Sequence, residues 1–555
     1  MVVRALDVPR ARRLARVNGH GGELALAALA GYGVREMFTL SGGHIFPFYD
    51  AVAKGTYDDW RIIDVRHEQT ATFAAEATAK LTRRPGVAVL TAGPGVTNGI
   101  SAVTSAYFNG TPLVVLGGRA PQARWGAGSL QEFDHVPVLA PITKRAATAT
   151  DAAAIPALVD SLAKESLTPH RGPVFCDFPL DVVFRHADAD VPEALIPRGA
   201  DADPDEVRRA AELIAGARQP AIIAGTDVYF AGAWDALRAV AETLRVPVFA
   251  NGLGRGCVPA DHELAFSRTR GLLKSEADVV VVIGAPLDFR LSFGSFGDAK
   301  VVHVVDSESQ RATHVTPAVA PCGDLRSILT VLADWSGSRA DHEPWIARLR
   351  DAESVGAAAD ASLLDADSAP IKPTRVYGEL RKRLDRDAVV VCDGGDFVSY
   401  AGKYIDSYGP GCWLDAGPYG CLGTGMGYAM AARVARPDKQ VVVMLGDGAA
   451  GFSLMDADSL VRHDLPVVIV VGNNGIWGLE KHPMQAIYGY DVAADLQSEC
   501  RYDQVVAALG GAGEVVRDPD ELGPALDRGF ASGVPYVVNV FTDPADQYPR
   551  SSNLG

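Results

Sequence analysis

At 555 residues the chain is too long for a single hydrophobic core, and three domains are expected. A formal net charge of −16 argues against nucleic acid or an anionic membrane surface as the main partner, while leaving room for a local basic pocket. Seven cysteines without CxxC spacing read as reduced, mostly buried thiols, and no apolar run approaches the roughly 18 residues of a membrane span, so a cytoplasmic protein is expected.

The first 17 residues carry several arginines (RARRLAR) and read as an unstructured basic leader, because no apolar stretch follows as a secretory signal requires. From 18 to 185, helix-like and strand-like runs alternate: ELALAALAGYG, REMFTL, a helix beginning at Glu68, GVAVLT and PLVVLGG. Such alternation predicts a doubly wound parallel α/β domain. His186 to Asp205 is polar and Pro-containing and reads as a linker. A second α/β domain, 204–345, contains the strand-like runs PAIIAG, PVFANG, ADVVVVIG and KVVHVVD. A third, 372–545, follows the stretch SVGAAADASLLDADSAPIKP.

The third domain carries the most specific chemistry. QVVVML leads into Gly446-Asp447-Gly448, Phe452 to His463 looks helical, and LPVVIVV delivers Asn473 and Asn474 at its carboxyl end. This is a β-α-β unit with an acid after one strand and an amide after the next, and ligands of open parallel sheets sit outside those ends. Asp447 and the Asn474 side-chain oxygen are hard ligands suited to Mg²⁺ or Ca²⁺, and Mg²⁺ shares its remaining positions with phosphates and water. Gly446 and Gly448 let backbone approach a phosphate. Gly-Asp-Gly alone could equally make a tight bend; the Asn-Asn about two dozen residues later points to a metal clamped onto a diphosphate. Glu68, at a strand-to-helix junction, could by itself be no more than a first-turn acid favoured by the helix dipole.

The GDG…NN pattern resembles the cofactor motif of thiamine-diphosphate enzymes, specifically the acetolactate synthase and oxalyl-CoA decarboxylase branch. RHEQTATFAAEATAK (66–80), TAGPGVTNG (91–99) and GSLQEFDHV (128–136) resemble the same branch, so the likeness covers nearly the whole chain after residue 18. It implies three doubly wound domains: pyrimidine-binding, central nucleotide-binding-like and diphosphate-binding. It further implies that Glu68 hydrogen-bonds the aminopyrimidine of the cofactor and that Leu422, in GCLGTGMGY, props the cofactor into its bent form. Gly395, Asp396 and Phe397 would lie near the diphosphate, Ala449 beside the phosphates, and Pro94 and Asn98 in the cofactor-binding set. The backbone carbonyl of Ile476 would be the third protein ligand to Mg²⁺. The family builds each site across two subunits, which implies a homodimer or homotetramer.

Two segments bear on the reaction. After Asn474 the chain reads GIWGLEKHPMQAIYG, with Glu480 where the synthases carry an apolar residue, and Lys481 and Pro483 where they carry an Arg and a Trp. Glu480 is either a solvated helix acid paired with Lys481 or His482, or a general acid/base at the substrate. The second reading resembles actinobacterial 2-hydroxyacyl-CoA lyases. In the central domain APLDFRLSFG differs from the FAD-type segment of the synthases and is more like the ADP-binding segment of oxalyl-CoA decarboxylases and lyases. Arg290 and Asp306 are then candidates for phosphate and ribose, with surface ion pairing as the alternative. Leu130, Gln131 and Leu479 would line the substrate side. The leading expectation is a lyase that reversibly cleaves a 2-hydroxyacyl-CoA to an aldehyde or ketone plus formyl-CoA. An acetolactate synthase-like pyruvate carboligase, an oxalyl-CoA decarboxylase and a non-catalytic paralogue follow. The chain has no recognisable CoA signature, and since the sequence ends at DQYPRSSNLG, the carboxyl-terminal lid of the resembling family is expected to be short or absent.

Overall fold

The computed structural model describes residues 15–55 and 60–549. The leader's first 14 residues and the tail from 550 onward lie outside the described residues. Two compact units result: Met1–Pro197 with Gly417–Ala435, and Arg198–Ala416 with Arg436–Gly555.

The first unit contains β1 (Arg16–His20), β2 (Glu36–Thr39), β3 (Arg61–Asp64), β4 (Gly86–Leu90), β5 (Leu113–Arg119), β6 (Arg145–Thr148), β7 (Val174–Pro179) and β8 (His186–Asp190). Six of them form a parallel sheet in the order β3-β2-β4-β5-β7-β6. Its central strands β4, β5 and β7 are runs of residues buried on both faces, as a helix-covered parallel sheet requires. Connections reverse direction between β2 and β4, so the carboxyl ends there form the crevice.

Two expectations are corrected here. His186 to Asp190 is not linker but β8, which pairs antiparallel with β1. β1 also takes Arg16 and Val17 out of the supposed unstructured leader. Alternating small and acidic residues (HADAD) bury Ala189 while Asp188 and Asp190 pair with Arg16, a half-polar edge easily mistaken for linker.

The Thr424–Ala435 helix packs on the Glu68–Thr82 helix in the same unit. Their contact is polar at its centre: Glu76 is ion-paired with Lys80 at 3.0 Å, and Tyr428 donates to Glu76 at 2.9 Å and accepts from Lys80 at 2.7 Å. Asn109 donates to Glu76 as well, at 2.8 Å. All three central side chains are buried, so the pair endures through this mutual hydrogen bonding.

The second unit holds two parallel sheets. β9 (Pro220–Ala224), β10 (Val248–Ala250), β11 (Val279–Ile283) and β12 (Lys300–Val304) are ordered β10-β9-β11-β12. β13 (Val389–Asp393), β14 (Trp413–Leu414), β15 (Val441–Gly446), β16 (Val468–Asn473), β17 (Ala512–Val516) and β18 (Tyr536–Phe541) are ordered β14-β13-β15-β16-β18-β17. The three parallel sheets are the expected α/β fold class. Phe452 to His463 is not one helix: helix begins at Asp447, ends at Ser453, and resumes at Ala457–Arg462 after a 3₁₀ turn. No helix among the described residues is long and apolar enough to cross a membrane.

Candidate active site

In the β13–β18 sheet the connections reverse between β13 and β15, and the loops after these strands meet there. A Cβ on Gly394 would lie 3.1 Å from the Gly446 nitrogen. Asp447 opens the helix after β15 and is only 4% exposed. Its carboxylate accepts from the Gly448 nitrogen at 3.0 Å and the Gly475 nitrogen at 2.6 Å. Burial nonetheless pushes its pKa up to about 6, and no ion pair among the described residues involves it. A buried carboxylate held by amides but lacking a cation suits a divalent ion, because unpaired buried charge is costly.

The two asparagines divide the labour. Asn473 is buried and donates to Asn539 and the Cys500 carbonyl, so it is structural. Asn474, in the following turn, accepts from the Ile476 nitrogen at 3.2 Å through its side-chain oxygen. The same turn carries the Ile476 backbone. Beside Gly446 a Cβ would meet nothing within 4 Å, which leaves open space next to Asp447 for a phosphate. Gly448 is required for a different reason: a Cβ there would meet the Trp477 ring at 2.4 Å. Ala449 is buried one residue on.

The Gly478–Tyr488 helix lays its first turn on the loop after β13. A Cβ on Gly395 would be 2.5 Å from Leu479, and one on Gly478 would be 3.4 Å from Asp396. Gly395, Asp396, Leu479 and Glu480 are thus brought beside the metal loop. Phe397 is different: its ring fills the space over Gly472 and packs on Tyr377, in the core. Glu480 is exposed and in no ion pair among the described residues, and partial desolvation by its neighbours raises its pKa. Lys481 pairs instead with Asp491 and Asp495.

In the first unit, Glu68 is the first residue of its helix, capped by His67, and is 6% exposed. Asn98, at the end of the Pro94–Asn98 helix, donates to Glu68 Oε2 at 3.0 Å, leaving Oε1 for another partner. Gln69 donates to the Leu422 carbonyl at 3.1 Å, so Leu422 is tied directly to the residue after Glu68. Gln131, at φ 58°, packs against the Gly93 turn, whereas Leu130 is 78% exposed.

The nucleotide candidates follow β11 and β12 of the second unit. Arg290 pairs with Asp288 at 2.7 Å, and Asp306 is buried just beyond β12. Arg270, half-buried near Arg255 and Arg290, has its pKa lowered to about 10 by desolvation and those charges.

Sequence reasoning missed His135, Asp177 and His44. His135 and Asp177 are both fully buried, with His135 Nδ1 3.1 Å from Asp177. His44 is buried and hydrogen-bonded to the Leu130 backbone, and burial lowers its pKa. Polar residues inside apolar surroundings are the available signal, and GSLQEFDHV contains one of them.

Comparison with known proteins agrees with this geometry. The thiamine pyrophosphate enzyme N-terminal TPP binding domain matches residues 19–138, the central domain 207–332 and the C-terminal TPP binding domain 393–540. The chain is 52% identical over 540 residues to the acetolactate synthase large subunit IlvG of Mycobacterium tuberculosis, covering 96% of this chain and 98% of the relative. It is 32% identical over 579 residues to 2-hydroxyacyl-CoA lyase 2 of Bos taurus, covering 95% and 90%. To 2-hydroxyacyl-CoA lyase of Oryza sativa it is 31% identical over 560 residues, covering 94% and 95%. The chain belongs to the thiamine pyrophosphate enzyme family, in the branch of acetolactate synthases and 2-hydroxyacyl-CoA lyases.

Proposed function

We propose that this enzyme is a 2-hydroxyacyl-CoA lyase, reversibly splitting a short 2-hydroxyacyl-CoA into an aldehyde or ketone and formyl-CoA. Glu480 carries the reading: an acid without a counter-ion among the described residues, on the helix whose first turn lies on the loop after β13, with a pKa raised by partial desolvation. A group of that kind takes the proton from the substrate hydroxyl, whose oxygen becomes the product carbonyl, and returns it to the formyl carbon. Thiamine diphosphate, when bound, supplies carbanion stabilisation. Glu68 holds a proton at the aminopyrimidine through Oε1, and Leu422 shapes the cofactor's bend. Asp447, Asn474 and the Ile476 carbonyl hold Mg²⁺.

A cavity of about 240 Å³ in the second unit gives further support for an anionic carrier. Arg255 lines it, stacks on Trp413 at 4.4 Å, donates only to the Gly402 carbonyl, and has no carboxylate within 4 Å among the described residues. Arg268 and Lys403, on the same wall, are already paired with Asp360. ADP is placed at Arg290 and Asp306, Leu130 and Gln131 lie at the substrate, and the enzyme is a homodimer or homotetramer with sites at the dimer interface.

Pyruvate carboligation is the second reading, favoured by the 52% identity to a protein named acetolactate synthase. The deciding experiment gives the holoenzyme formyl-CoA with a panel of short aldehydes and ketones, and pyruvate in parallel, with mass detection of products. 2-Hydroxyacyl-CoA that disappears in Glu480→Gln supports the lyase. Acetolactate from pyruvate, with no acyl-CoA product, overturns it.

A further inference from the structure

The segment GSLQEFDHV supplies a buried imidazole that the chemistry above does not use. His135 is fully buried between the rings of Phe133 and Phe175, at centroid distances of 5.4 and 6.1 Å. Its Nε2 lies 3.0 Å from the Gly93 nitrogen, which can only donate, so Nε2 bears no hydrogen. Its Nδ1 lies 3.1 Å from Asp177 Oδ2, so the ring hydrogen sits on Nδ1 and points at the carboxylate. Asp177 is itself fixed by Arg119 at 2.7 Å, and Arg119 also reaches Asp134 at 3.0 Å.

Gly93 is where this matters. Its φ of 60° and ψ of −116° turn the chain out of β4 and into the Pro94–Asn98 helix. Side chains rarely adopt that conformation, and a Cβ would also strike Gln131 at 2.9 Å. Gly93 is buried, so its N–H needs an acceptor, and His135 Nε2 is that acceptor. At the other end of the helix, Asn98 donates to Glu68 Oε2 at 3.0 Å. A continuous series of short contacts thus runs from Arg119 through Asp177, His135 and the Gly93 turn to the Glu68 carboxylate.

We propose that His135, as its neutral Nδ1–H form, is a positioning residue for Glu68, acting through the Gly93 turn and Asn98. This rests on the role given to Glu68, and the test separates the two. The readout is exchange of the C2 hydrogen of bound thiamine diphosphate into D₂O, which reports on Glu68 before any substrate is present. His135→Phe should slow exchange at least about tenfold, a fraction of the 10²–10⁴ typical of a general acid or base, while cofactor affinity changes by less than about threefold. His135→Gln, whose amide oxygen can accept from Gly93, should restore exchange to within about threefold of wild type. A folded His135→Phe protein exchanging at the wild-type rate overturns the proposal, as does His135→Gln exchanging no faster than a slow His135→Phe. Should the Phe variant not fold, ¹⁵N-histidine spectra of the cofactor-free wild type decide: His135, assigned from the missing signal in His135→Gln, must show an unprotonated Nε2, and a protonated Nε2 refutes the assignment. Glu68→Gln run alongside must lose exchange; if it does not, the role of Glu68 falls, and this inference with it.

Discussion

Replacing Asp447 by Asn should remove a pH-dependent loss of stability from the metal-free protein while abolishing its response to Mg²⁺. The carboxylate is 4% exposed, so water does not screen it, and burial moves its pKa from 3.8 to about 6. At about 1.4 kcal/mol per tenfold, that displacement makes the ionised group roughly 3 kcal/mol less favourable in the folded chain than the neutral one. Because the folded pKa is the higher one, the stability contributed by the group is fully present below 3.8 and is lost as pH rises through about 6. Asn does not ionise; it keeps one accepting oxygen but sets its NH₂ against the second backbone N–H, a cost of about 1–3 kcal/mol that is the same at every pH. The stability of Asp447→Asn relative to wild type should therefore rise between about pH 3.8 and about pH 6, by about 3 kcal/mol as an upper bound. Chemical unfolding in EDTA across that range, followed by the transition of the second unit, measures it. Added Mg²⁺ with thiamine diphosphate should stabilise wild type and leave the variant unchanged, since only wild type gains by binding. A stability difference between variant and wild type that does not change across this pH range without metal would refute the reasoning.

Glu68→Gln should leave the unfolding transition in place and lower turnover by about 10² or more; steady-state kinetics beside circular dichroism check both. Lys80→Met removes one partner of a fully enclosed ion pair and should cost about 3–5 kcal/mol, read as a lowered denaturation midpoint; a cost below about 1 kcal/mol would show that Tyr428 and Asn109 satisfy Glu76 unaided. Gly448→Ala forces the new methyl against the Trp477 ring and should cost about 1–3 kcal/mol and weaken cofactor binding, measured by unfolding and by titration calorimetry.

Much of the fold was legible because buried parallel strands are apolar runs bounded by turn residues. β4, β5, β11, β15 and β16 all announce themselves in this way. The metal loop was legible because Asp447 and Asn474 end neighbouring strands, so a short span of sequence contains most of its geometry. Less was readable where partners are distant. Asp177 is 42 residues from His135, and Gln69 is 353 from the Leu422 carbonyl it binds. No periodicity records such pairs. The edge strand β8 escaped because half its residues face outward and are acidic, and Phe397 looked available because a motif position does not say which way a ring points.

The burial of Tyr428 against Glu76 and Lys80 also bears on synthesis. Its hydroxyl partner Lys80 precedes it by 348 residues, so the first unit is interrupted by most of the second. At about 5–20 residues per second, a ribosome needs on the order of tens of seconds to bridge that gap. During this time the nascent Glu68–Thr82 helix lacks the helix that will cover it, and Glu76 and Lys80 have each other and Asn109 but not the Tyr428 hydroxyl. The N-terminal unit thus completes late despite emerging first. Chaperone occupancy should peak on chains released before residue 417 and fall once the Thr424–Ala435 helix has left the exit tunnel.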